Sequence, residues 1–390
     1  MNLAIVTNIL TPYRIPLFEA LRQRASSFLV LLMAAQEENR QWGLGKVSFQ
    51  TRVLPGLHVR LPGHAVSLHL NHGVMRALRA FSPDVVVNAG FGPANIAAFL
   101  YCKLFRKKVV GWAHLTLQDG AQLSAVKRMI RRVLIRGSDG SIAESSDARD
   151  SFLSYGAKAD RVLTALMPLE VQRLRDQARL FRDSAEGRAL RARFSGPVIL
   201  SIGQAILRKG YPEMFLIYER LLTLEPSASL VLVGDGPLRT RYEQLARERG
   251  WRNVHFEGYV QAEDLHRYLA VADVFVFHTL YDPFGLVLSE AMAAGVPAVA
   301  SVYASSTRDL ITEGVTGMTI DPRETDTSAA AIVRVLQMPA AERDAMVACA
   351  QERVQQCDAP SAAERMARFL DSLQGFAHKG GRRAAAGPMT

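Results

Sequence analysis

The chain has 390 residues, of which 49% are apolar and 22% charged, a composition that excludes wholesale disorder and fibrous repeats. This length corresponds to two or three domains. Lys and Arg outnumber Asp and Glu by 47 to 37, and the resulting net charge of +10 indicates an anionic partner. The 3 cysteines are too few for a disulfide framework or a zinc site and favour a reducing compartment.

The N-terminus lacks the features of a signal peptide. It has no basic segment before its short apolar run, and Pro12 and Pro16 interrupt that run. The longest uncharged window, from Val85 to Cys102, contains glycines, a proline and asparagines and does not predict a membrane-spanning helix. We therefore expect a cytoplasmic protein. A basic segment described below adds the hypothesis of peripheral attachment at the inner face of the membrane.

Short apolar runs typical of buried strands alternate with helical patterns along the chain. The first half contains four such runs: Leu3–Thr7, Asp84–Asn88, Lys108–Trp112 and Gly140–Glu144. After Pro197 a second series follows: Val198–Ile202, Ser229–Val233, Val254–Phe256, Val274–Phe277, Ala298–Ala300 and Gly317–Ile320. Near-continuous apolar strands between helices indicate parallel sheets covered on both faces. The two series predict an α/β protein with two Rossmann-like domains.

The pattern divides the chain into five predicted parts. Residues 1–175 form the N-terminal domain, and residues 176–196, polar and without a buried-strand pattern, form a linker. Residues 197–358 form the C-terminal domain. Residues 359–377 have the spacing of an amphipathic helix, which we expect to return to the N-terminal domain. Residues 378–390 are rich in Gly and Ala with three basic residues, and this composition predicts a disordered basic tail.

The positive charge is concentrated in one segment of the first half. Between Leu100 and Arg136 the only acid is Asp119. The same stretch contains nine basic residues: Lys103, Arg106, Lys107, Lys108, Lys127, Arg128, Arg131, Arg132 and Arg136. Neither a zinc-finger spacing nor an RNP-like aromatic motif accompanies them, so we expect no nucleic-acid partner.

The end of that segment, from Val126 to Arg136, has helical spacing. Its predicted apolar face consists of Val126, Met129, Ile130, Val133 and Leu134. One interpretation is a surface helix whose apolar face packs on the sheet and whose basic face is solvated. The other is that the segment Lys103–Arg136 contacts an anionic membrane surface. The pattern alone does not separate the two.

The richest motif is Tyr281–Ala294, in which a turn follows a predicted strand and leads into a helix near Gly285. A helix N-terminus of this kind suits a phosphate, and Gly285 lets the backbone approach a ligand closely. Asp282 and Glu290 lie eight residues apart and could accept hydrogen bonds from sugar hydroxyls on either side of that phosphate. The alternative is an acidic turn that complements the helix dipole. That alternative suits Asp282 alone better than the whole motif.

Two further segments have weaker signals. In Val198–Tyr211 a strand leads into Gly203 and a loop with Arg208 and Lys209, and Lys209 is a candidate diphosphate clamp or part of a solvated basic turn. Leu230–Leu238 is half of a dinucleotide fingerprint, without the third glycine, and is weak evidence for NAD.

These motifs occur in a fixed order that resembles a known family. From Pro197 to Pro322 the order is IGQAILRKG, LVLVGDGPL, FEGYV, ADVFVFHT, DPFGLVLSEAMAAGVPAVAS and EGVTGMTID. Together they are similar to the donor-binding domain of a GT-B glycosyltransferase, specifically the retaining glycosyltransferase family 4 (glycosyl transferases group 1). The N-terminal half matches more loosely, through TPYRIPLF, GWAH and GSIAESSDARDSFLSYG.

The resemblance implies a GT-B fold, in which an N-terminal acceptor-binding and a C-terminal nucleotide-sugar-binding Rossmann-like domain face each other across a cleft. It implies that Glu290 binds the ribose, Asp282 the donor sugar and Lys209 the diphosphate, and that His114 lies near the donor sugar. The remaining donor-binding residues that it implies are Gly203, Phe284, Gly285, Leu286, Tyr259 and Val260. Of all these, Lys209, Asp282 and His114 are the expected catalytic residues.

The sequence departs from the family pattern at three places. The usual basic residue after the strand-end glycine is Gln204, and Arg208 could supply the missing diphosphate contact from another position. The first acid of the family's Glu-x7-Glu motif is Asp282, one methylene shorter than Glu. The usual Asn-Gly-Val-Asp after the acceptor domain is replaced by Met167–Glu170.

We therefore expect a retaining transferase that moves a sugar from a nucleoside-diphosphate-sugar to a glycan or to a lipid-linked or membrane-surface glycoconjugate, in polysaccharide or lipopolysaccharide biosynthesis. We expect no cofactor and no metal. The alternatives are a GT-B sugar-nucleotide epimerase or phosphorylase, and a nucleotide-sugar-binding module with weakened activity, which Gln204 suggests. An NAD dehydrogenase is the least favoured.

Other polar residues have less specific interpretations. His64, His69 and His72 cluster in sequence, but no nearby carboxylate supports a metal site. Cys349 and Cys357 are predicted packing residues. His278 ends a predicted strand close to the site motif and has either a supporting role at the site or a structural one.

Overall fold

The structure is a computed structural model that describes residues 1–35, 47–60, 67–121 and 123–379. Its contacts divide the chain into two compact units. The first unit combines Met1–Pro168 with Ala359–Thr390, and the second unit is Leu169–Asp358. Each unit is built on a parallel sheet, which confirms the predicted pair of Rossmann-like domains.

The described part of the first unit contains a seven-stranded parallel sheet in the order β3-β2-β1-β6-β7-β8-β9, and the antiparallel hairpin β4-β5. The strands are β1 (Asn2–Thr7), β2 (Ser27–Leu32), β3 (Gln50–Val53), β4 (Gly56–Arg60), β5 (Ser67–Asn71), β6 (Val85–Ala89), β7 (Lys108–Ala113), β8 (Gly140–Ala143) and β9 (Val162–Thr164). The helices are α1 (Ile15–Arg24), α2 (Val74–Phe81), α3 (Pro93–Leu104), α4 (Leu117–Ala121), α5 (Ala125–Gly137) and α6 (Ser146–Ser154).

The second unit contains a six-stranded parallel sheet in the order β12-β11-β10-β13-β14-β15. The strands are β10 (Val198–Ile202), β11 (Ser229–Val233), β12 (Val254–Gly258), β13 (Val274–Phe277), β14 (Ala298–Ser301) and β15 (Met318–Ile320). The helices are α7 (Val171–Asp183), α8 (Ala185–Arg191), α9 (Tyr211–Leu224), α10 (Arg239–Glu248), α11 (Leu265–Val271), α12 (Leu286–Ala293), α13 (Ser305–Leu310), α14 (Thr325–Leu336) and α15 (Ala340–Arg353).

The strand order of the second unit positions its candidate site. Strand β10 pairs with β11 on one side and with β13 on the other, with Ile199 opposite Val274. The chain therefore winds outward in both directions from the β10–β13 pair. In open parallel sheets, ligands bind outside the carboxyl ends of the strands at such a switch point. A ligand site is thus expected at the loops that follow β10 and β13.

The C-terminal helix α16 (Ala359–Lys379) belongs to the first unit. It packs on α1, and its buried face shares a core cluster with Leu3, Ile5, Leu17 and Phe18. The buried residues of α16 are Ala359, Ala362, Ala363, Met366, Leu370 and Leu373. The predicted tail 378–390 falls, after Lys379, outside the described residues.

The predicted linker differs from the structure. Most of residues 176–196 lies in α7 and α8, within a second unit that begins at Leu169. Val171 and Ala178 of α7 are buried, and Arg182 Nε donates to the carbonyl oxygen of Ala270 at 2.9 Å. A helix that buries only two small apolar side chains has a largely polar sequence, and this explains why the segment resembles a linker.

The predicted apolar face of α5 is also partly wrong. The helix buries Leu134 and Ile135, whereas Val126, Met129 and Val133 are exposed. A surface helix beside a sheet needs only a narrow buried stripe, so the spacing of apolar residues did not identify which of them face the core. No helix in the described part of the chain is long and apolar enough to cross a membrane.

Candidate functional site

The loop between β10 and α9 carries the first group of predicted site residues. Gly203 follows the strand, and its N–H donates to the carbonyl oxygen of Val233 at 2.9 Å. Leu207–Lys209 forms a short 3-10 turn that ends at Gly210, where φ is +72°. A Cβ at Gly210 would clash with the carbonyl oxygen of His278. Glycine is therefore required here by both the backbone angle and the space.

The loop between β13 and α12 carries the second group. The N–H of Phe284, whose side chain is buried, donates to Asp282 Oδ1 at 3.2 Å. Gly285 has a φ of +89° and precedes α12, which begins at Leu286. A Cβ at Gly285 would clash with the ring of Phe277. The turn therefore delivers a helix N-terminus, with its N–H groups and partial positive charge, to the carboxyl edge of the sheet.

The structure joins these two loops. The N–H groups of Leu280 and Tyr281 donate to the carbonyl oxygen of Arg208, at 2.9 and 3.2 Å. Lys209 Nζ forms an ion pair with Asp282 Oδ2, and both side chains are largely buried. Two residues that are 73 positions apart in sequence, and that were predicted to contact the diphosphate and the donor sugar, therefore lie in direct contact.

His278 forms hydrogen bonds next to the contact between these two loops. Its Nδ1 lies 3.0 Å from the carbonyl oxygen of Gly210 and its Nε2 lies 2.7 Å from Ser201 Oγ. Since a carbonyl oxygen only accepts, Nδ1 carries the proton and Nε2 accepts from the Ser201 hydroxyl. Burial lowers the pKa of His278 to about 4, so the ring is neutral near pH 7. His278 thus ties the end of β13 to the loop that carries Lys209, which gives it a supporting role at the site.

Replacing His278 tests that role. His278→Ala leaves the Gly210 carbonyl and the Ser201 hydroxyl without this partner, and we expect it to lower the free energy of unfolding by about 1–3 kcal/mol. We also expect weaker binding of a nucleoside diphosphate, because the Lys209 loop loses its anchor. His278→Asn keeps an amide N–H near the position of Nδ1 and is expected to retain most of the binding. Urea unfolding and calorimetric titration measure the two effects. Equal binding by the Ala and Asn variants would contradict the role.

Glu290 lies inside α12, more than one turn from Gly285. Burial raises the pKa of its carboxyl to about 7. Near neutral pH the carboxyl is therefore divided between the protonated and ionised forms. Hydrogen bonds from the hydroxyl groups of a ligand would stabilise the ionised form. Accepting such bonds from the ribose is the role predicted for Glu290.

The predicted base-contacting residues lie at the same edge of the sheet. Tyr259 and Val260 directly follow β12, and the side chain of Tyr259 is exposed. The N–H of Gly234, after β11, donates to the carbonyl oxygen of Gly258 at 2.7 Å. The ends of β12, β11, β10 and β13 follow one another along this edge. The predicted donor-binding residues in the loops after these strands therefore lie along it.

The position of the missing basic residue is taken by an exposed Gln204. Arg208, the residue predicted to supply the missing diphosphate contact, donates from its guanidinium NH1 to the carbonyl oxygen of Tyr281 at 3.2 Å. The guanidinium is exposed and lies on the loop that carries Asp282. The structure thus places Arg208 beside the predicted site, at a position different from that of Gln204.

In the first unit, His114 lies beside the buried carboxylate of Glu144. His114 Nε2 lies 2.7 Å from Glu144 Oε2, and the guanidinium of Arg14 lies 3.3 Å from the same carboxylate. The Arg14 guanidinium also stacks over the ring of Trp112, at 4.3 Å from its centroid. Burial acts to raise the pKa of Glu144, but the charges of His114 and Arg14 outweigh it and hold the pKa below its usual value.

Of these three residues, only His114 was predicted as a site residue from the sequence. Glu144 could have been noticed as an acid at the end of a buried-strand run, and Arg14 as a basic residue in the proline-containing loop after β1. Their proximity depends on β1, β7 and β8 lying in one sheet, since the carboxyl ends of parallel strands meet at one edge.

Replacing Arg14 is expected to destabilise the first unit strongly. Arg14→Ala leaves the buried Glu144 carboxylate without its arginine partner, and breaking a buried pair in this way costs about 3–5 kcal/mol of unfolding free energy. The double variant Arg14→Met and Glu144→Gln removes the stranded charge and is expected to recover part of that loss. Urea unfolding of the single and double variants provides the comparison. A double variant less stable than Arg14→Ala would be inconsistent with this explanation.

Among the described residues, no group of three or more His, Cys, Asp or Glu side chains is arranged to hold a metal ion. Of the clustered histidines, His69 is buried and His64 lies outside the described residues.

Comparisons with known proteins identify the same family that the order of the motifs indicates. The model of the family described as glycosyl transferases group 1 matches residues 188–353, and that of glycosyltransferase family 4 matches residues 19–164. The glycogen synthase of Mycobacterium tuberculosis is 28% identical over 71% of this chain and 68% of its own length. The lipopolysaccharide core biosynthesis glycosyltransferase LpsE of Rhizobium meliloti is 31% identical over 36% of this chain and 39% of its own length.

The fold also has close counterparts among solved structures. Anabaena Alr3699/HepE, crystallised in complex with UDP, superposes with a TM-score of 0.74 over 95% of this chain and 100% of that chain, at 18% identity. At this identity the likeness shows the fold alone. Two family models that together match most of the chain, and the two parallel-sheet units, lead to one conclusion. The chain belongs to the group 1 glycosyltransferases of the GT-B fold.

Proposed function

We propose that this protein is a retaining glycosyltransferase that moves a sugar from a nucleoside-diphosphate-sugar to an acceptor. The observation that supports this most directly is the Lys209–Asp282 pair beside the N-terminus of α12. A cation and a helix N-terminus suit a diphosphate, and an adjacent carboxylate suits sugar hydroxyls. The pair stands at the switch point of the sheet, where the fold favours ligand binding.

The proposed reaction breaks the bond between the anomeric carbon and the diphosphate oxygen. The acceptor oxygen bonds to that carbon on the same face, and its proton goes to the departing phosphate. Lys209 and the N-terminus of α12 stabilise the charge that develops on the nucleoside diphosphate, which is the electrostatic contribution expected of preorganised groups. Asp282 holds the Lys209 ammonium in place before the donor binds. We assign His114 to the donor sugar, following the resemblance, and propose that the reaction needs no metal.

We propose a uridine diphosphate sugar as the first candidate for the donor. The support comes from Anabaena Alr3699/HepE, whose structures contain UDP, UDP with glucose, and UDP-glucose. In this chain, Glu290 would accept hydrogen bonds from the ribose, and Tyr259 and Val260 would contact the base. Gly203, Phe284, Gly285 and Leu286 would contribute backbone contacts to the donor.

The acceptor is proposed to be a glycan or a lipid-linked glycoconjugate of a polysaccharide or lipopolysaccharide pathway, met at the cytoplasmic face of a membrane. The similarity to LpsE, a lipopolysaccharide core enzyme, supports this class. The second candidate is a nucleotide-sugar-binding module with weakened activity, which the exposed Gln204 at a usually basic position favours. Such a module would bind the nucleotide but would release no diphosphate with any acceptor.

A nucleotide panel tests the proposed function. Thermal unfolding is followed with UDP, GDP, ADP, dTDP and CMP, with NAD as a control, for the wild-type protein, Lys209→Ala and Glu290→Ala. We expect one nucleoside diphosphate to stabilise the wild type selectively and both variants to lose that stabilisation. The exposed Lys158→Ala serves as the matched control and should respond like the wild type. Stabilisation by NAD alone, or by no diphosphate, would show that the assigned donor site is wrong.

A further inference from the structure

Helix α5 leaves three large apolar side chains in solvent. Val126, Met129 and Val133 are 64%, 65% and 57% exposed, although Leu134 and Ile135 of the same helix are buried in the core. The helix begins after Ser124, whose hydroxyl accepts from the N–H of Lys127. The three exposed side chains are therefore part of a regular, capped helix that is anchored in the fold by its opposite face.

The exposed side chains form one continuous stripe. With 3.6 residues per turn, Val126, Met129 and Val133 fall within roughly 60° of one another around the helix axis and extend about 10 Å along it. Residues three and four apart are neighbours on a helix surface. The stripe is thus a contiguous apolar patch, and not a set of isolated exposed residues of the kind that all protein surfaces carry.

A row of basic residues runs beside the stripe. Arg128, Arg132 and Arg136 are spaced four residues apart and are exposed, and Lys127 adds a further charge at the start of the helix. The sequence from Ala125 to Gly137 contains no Asp or Glu. Long arginine side chains beside an apolar stripe can lie along a bilayer surface with their charged ends at the headgroups.

The neighbouring helix α3 also exposes large apolar side chains. Leu100 and Leu104 are exposed on it, at 54% and 68%. Helix α3 and α5 contribute to the same core cluster, and Gly137 at the end of α5 lies against the ring of Phe99. Two helices of the first unit therefore present apolar side chains to solvent within the segment that holds most of the net positive charge.

We propose that the exposed face of α5, formed by Val126, Met129, Val133 and the row Arg128, Arg132 and Arg136, binds the surface of an anionic phospholipid bilayer. The apolar stripe enters the boundary between headgroups and acyl chains, and the arginines pair with lipid phosphates. This inference rests on the proposed function and deepens it. It names the surface at which the enzyme would meet a lipid-linked acceptor.

Charge argues for lipid over a second copy of the chain. A symmetric contact between two copies of this face would bring two rows of arginines together without an acid on the helix to offset them. A bilayer that contains anionic lipid offers negative charge to the arginines and apolar acyl chains to the stripe.

Flotation with vesicles tests the proposal on the full chain. The vesicles are phosphatidylcholine alone or phosphatidylcholine with phosphatidylglycerol, at low and high salt. We expect the wild type to float only with the anionic vesicles. The variant with Arg128, Arg132 and Arg136 changed to Gln should bind about a hundredfold more weakly, at about fivefold for each basic residue. The variant with Val126, Met129 and Val133 changed to Ser should bind about tenfold more weakly and lose its residual binding at high salt.

A matched control separates this face from general surface hydrophobicity. Leu180, Leu216 and Leu224 of the second unit are 67%, 53% and 51% exposed, and their triple change to Ser removes a similar exposed apolar area. That variant should float like the wild type. No flotation of the wild type, unchanged flotation of the α5 serine variant, or an equal loss in the control would each overturn the proposal. So would a dimer, seen by size-exclusion chromatography with light scattering, that the α5 serine changes abolish.

The outcome is separable from that of the proposed function. Thermal unfolding with nucleoside diphosphates reports on the second unit and should be unchanged in the α5 variants. If no nucleotide stabilises the protein but flotation follows the expected pattern, the donor assignment fails and the lipid-binding face stands. If nucleotide binding is as expected and the wild type does not float, the lipid-binding face alone is removed.

Discussion

Lys209→Ala is expected to weaken the binding of a nucleoside diphosphate by about 10- to 100-fold, since a hydrogen bond to a charged group contributes about 1.5–3 kcal/mol. Two effects act together. The variant removes a cation from beside the diphosphate, and it leaves the Asp282 carboxylate, now without its ion-pair partner, close to the ligand's negative charge. Isothermal titration calorimetry with the nucleotide selected by the panel measures the change.

A second variant separates these two effects. Combining Lys209→Ala with Asp282→Asn removes the repulsive carboxylate, so the double variant should bind the diphosphate more tightly than Lys209→Ala alone. The two side chains are in contact, and non-additivity of this sign is expected of such neighbours. If the double variant binds more weakly than Lys209→Ala, then Asp282 contributes to the ligand directly and not through Lys209. An affinity of Lys209→Ala equal to that of the wild type would contradict the assignment of Lys209 to the diphosphate.

Nucleotide affinity is expected to depend on pH through Glu290. Because burial raises the pKa of this carboxyl to about 7, a ligand whose hydroxyls donate to the carboxylate must displace a proton at acid pH. With only the ionised form binding, affinity falls about tenfold between pH 8 and pH 6. Calorimetry in buffers of different ionisation enthalpy should also show that a proton is released on binding at pH 6.

Glu290→Gln provides the control for this pH dependence. The diphosphate itself takes up a proton near pH 6, and the Gln variant retains that contribution while losing the one from the carboxyl. The difference between the two proteins therefore isolates Glu290. Identical pH profiles would show that Glu290 does not contact the ligand in its ionised form.

The same shifted pKa predicts an effect on stability. Between the unfolded pKa, near 4.5, and the folded value of about 7, the folded protein holds a proton that the unfolded chain has released. The free energy of unfolding therefore falls as the pH rises through this range. Glu290→Gln abolishes that fall, so the melting temperature of the variant should exceed that of the wild type by more at pH 8 than at pH 5. A buried carboxyl that costs stability is common at functional sites.

Much of the fold follows from local sequence patterns. The runs at Val198–Ile202, Ser229–Val233 and Val274–Phe277 are strands with the predicted bounds, since a strand buried on both faces needs an uninterrupted apolar run. Strands β2, β3, β4, β5 and β9 were not predicted, although β2 is itself a buried apolar run. Strand β3 (Gln50–Val53) is exposed along its whole length, and β9 (Val162–Thr164) has three residues, so neither leaves a recognisable run in the sequence.

The sequence also predicted the members of the candidate donor site but not their connections. Gly285 and Asp282 were recognisable because a strand, a turn and a helix start follow one another within a few residues. The ion pair between Lys209 and Asp282, and the hydrogen bonds of His278 to Gly210 and Ser201, join segments far apart in the chain. They exist because β10 and β13 are neighbours in the sheet, and strand order is a property of the whole fold.

By itself, the sequence determined that this protein is a two-unit α/β chain of a glycosyltransferase family with an excess of positive charge in its first half, because composition, apolar periodicity and motif order are local properties. Only the tertiary structure decided which side chains face solvent and which meet. It left Val126, Met129 and Val133 exposed, a point on which their spacing had left two interpretations open, and it brought Arg14 and His114 to the buried carboxylate of Glu144. Burial depends on what packs against each face of an element, and that information lies in distant parts of the chain.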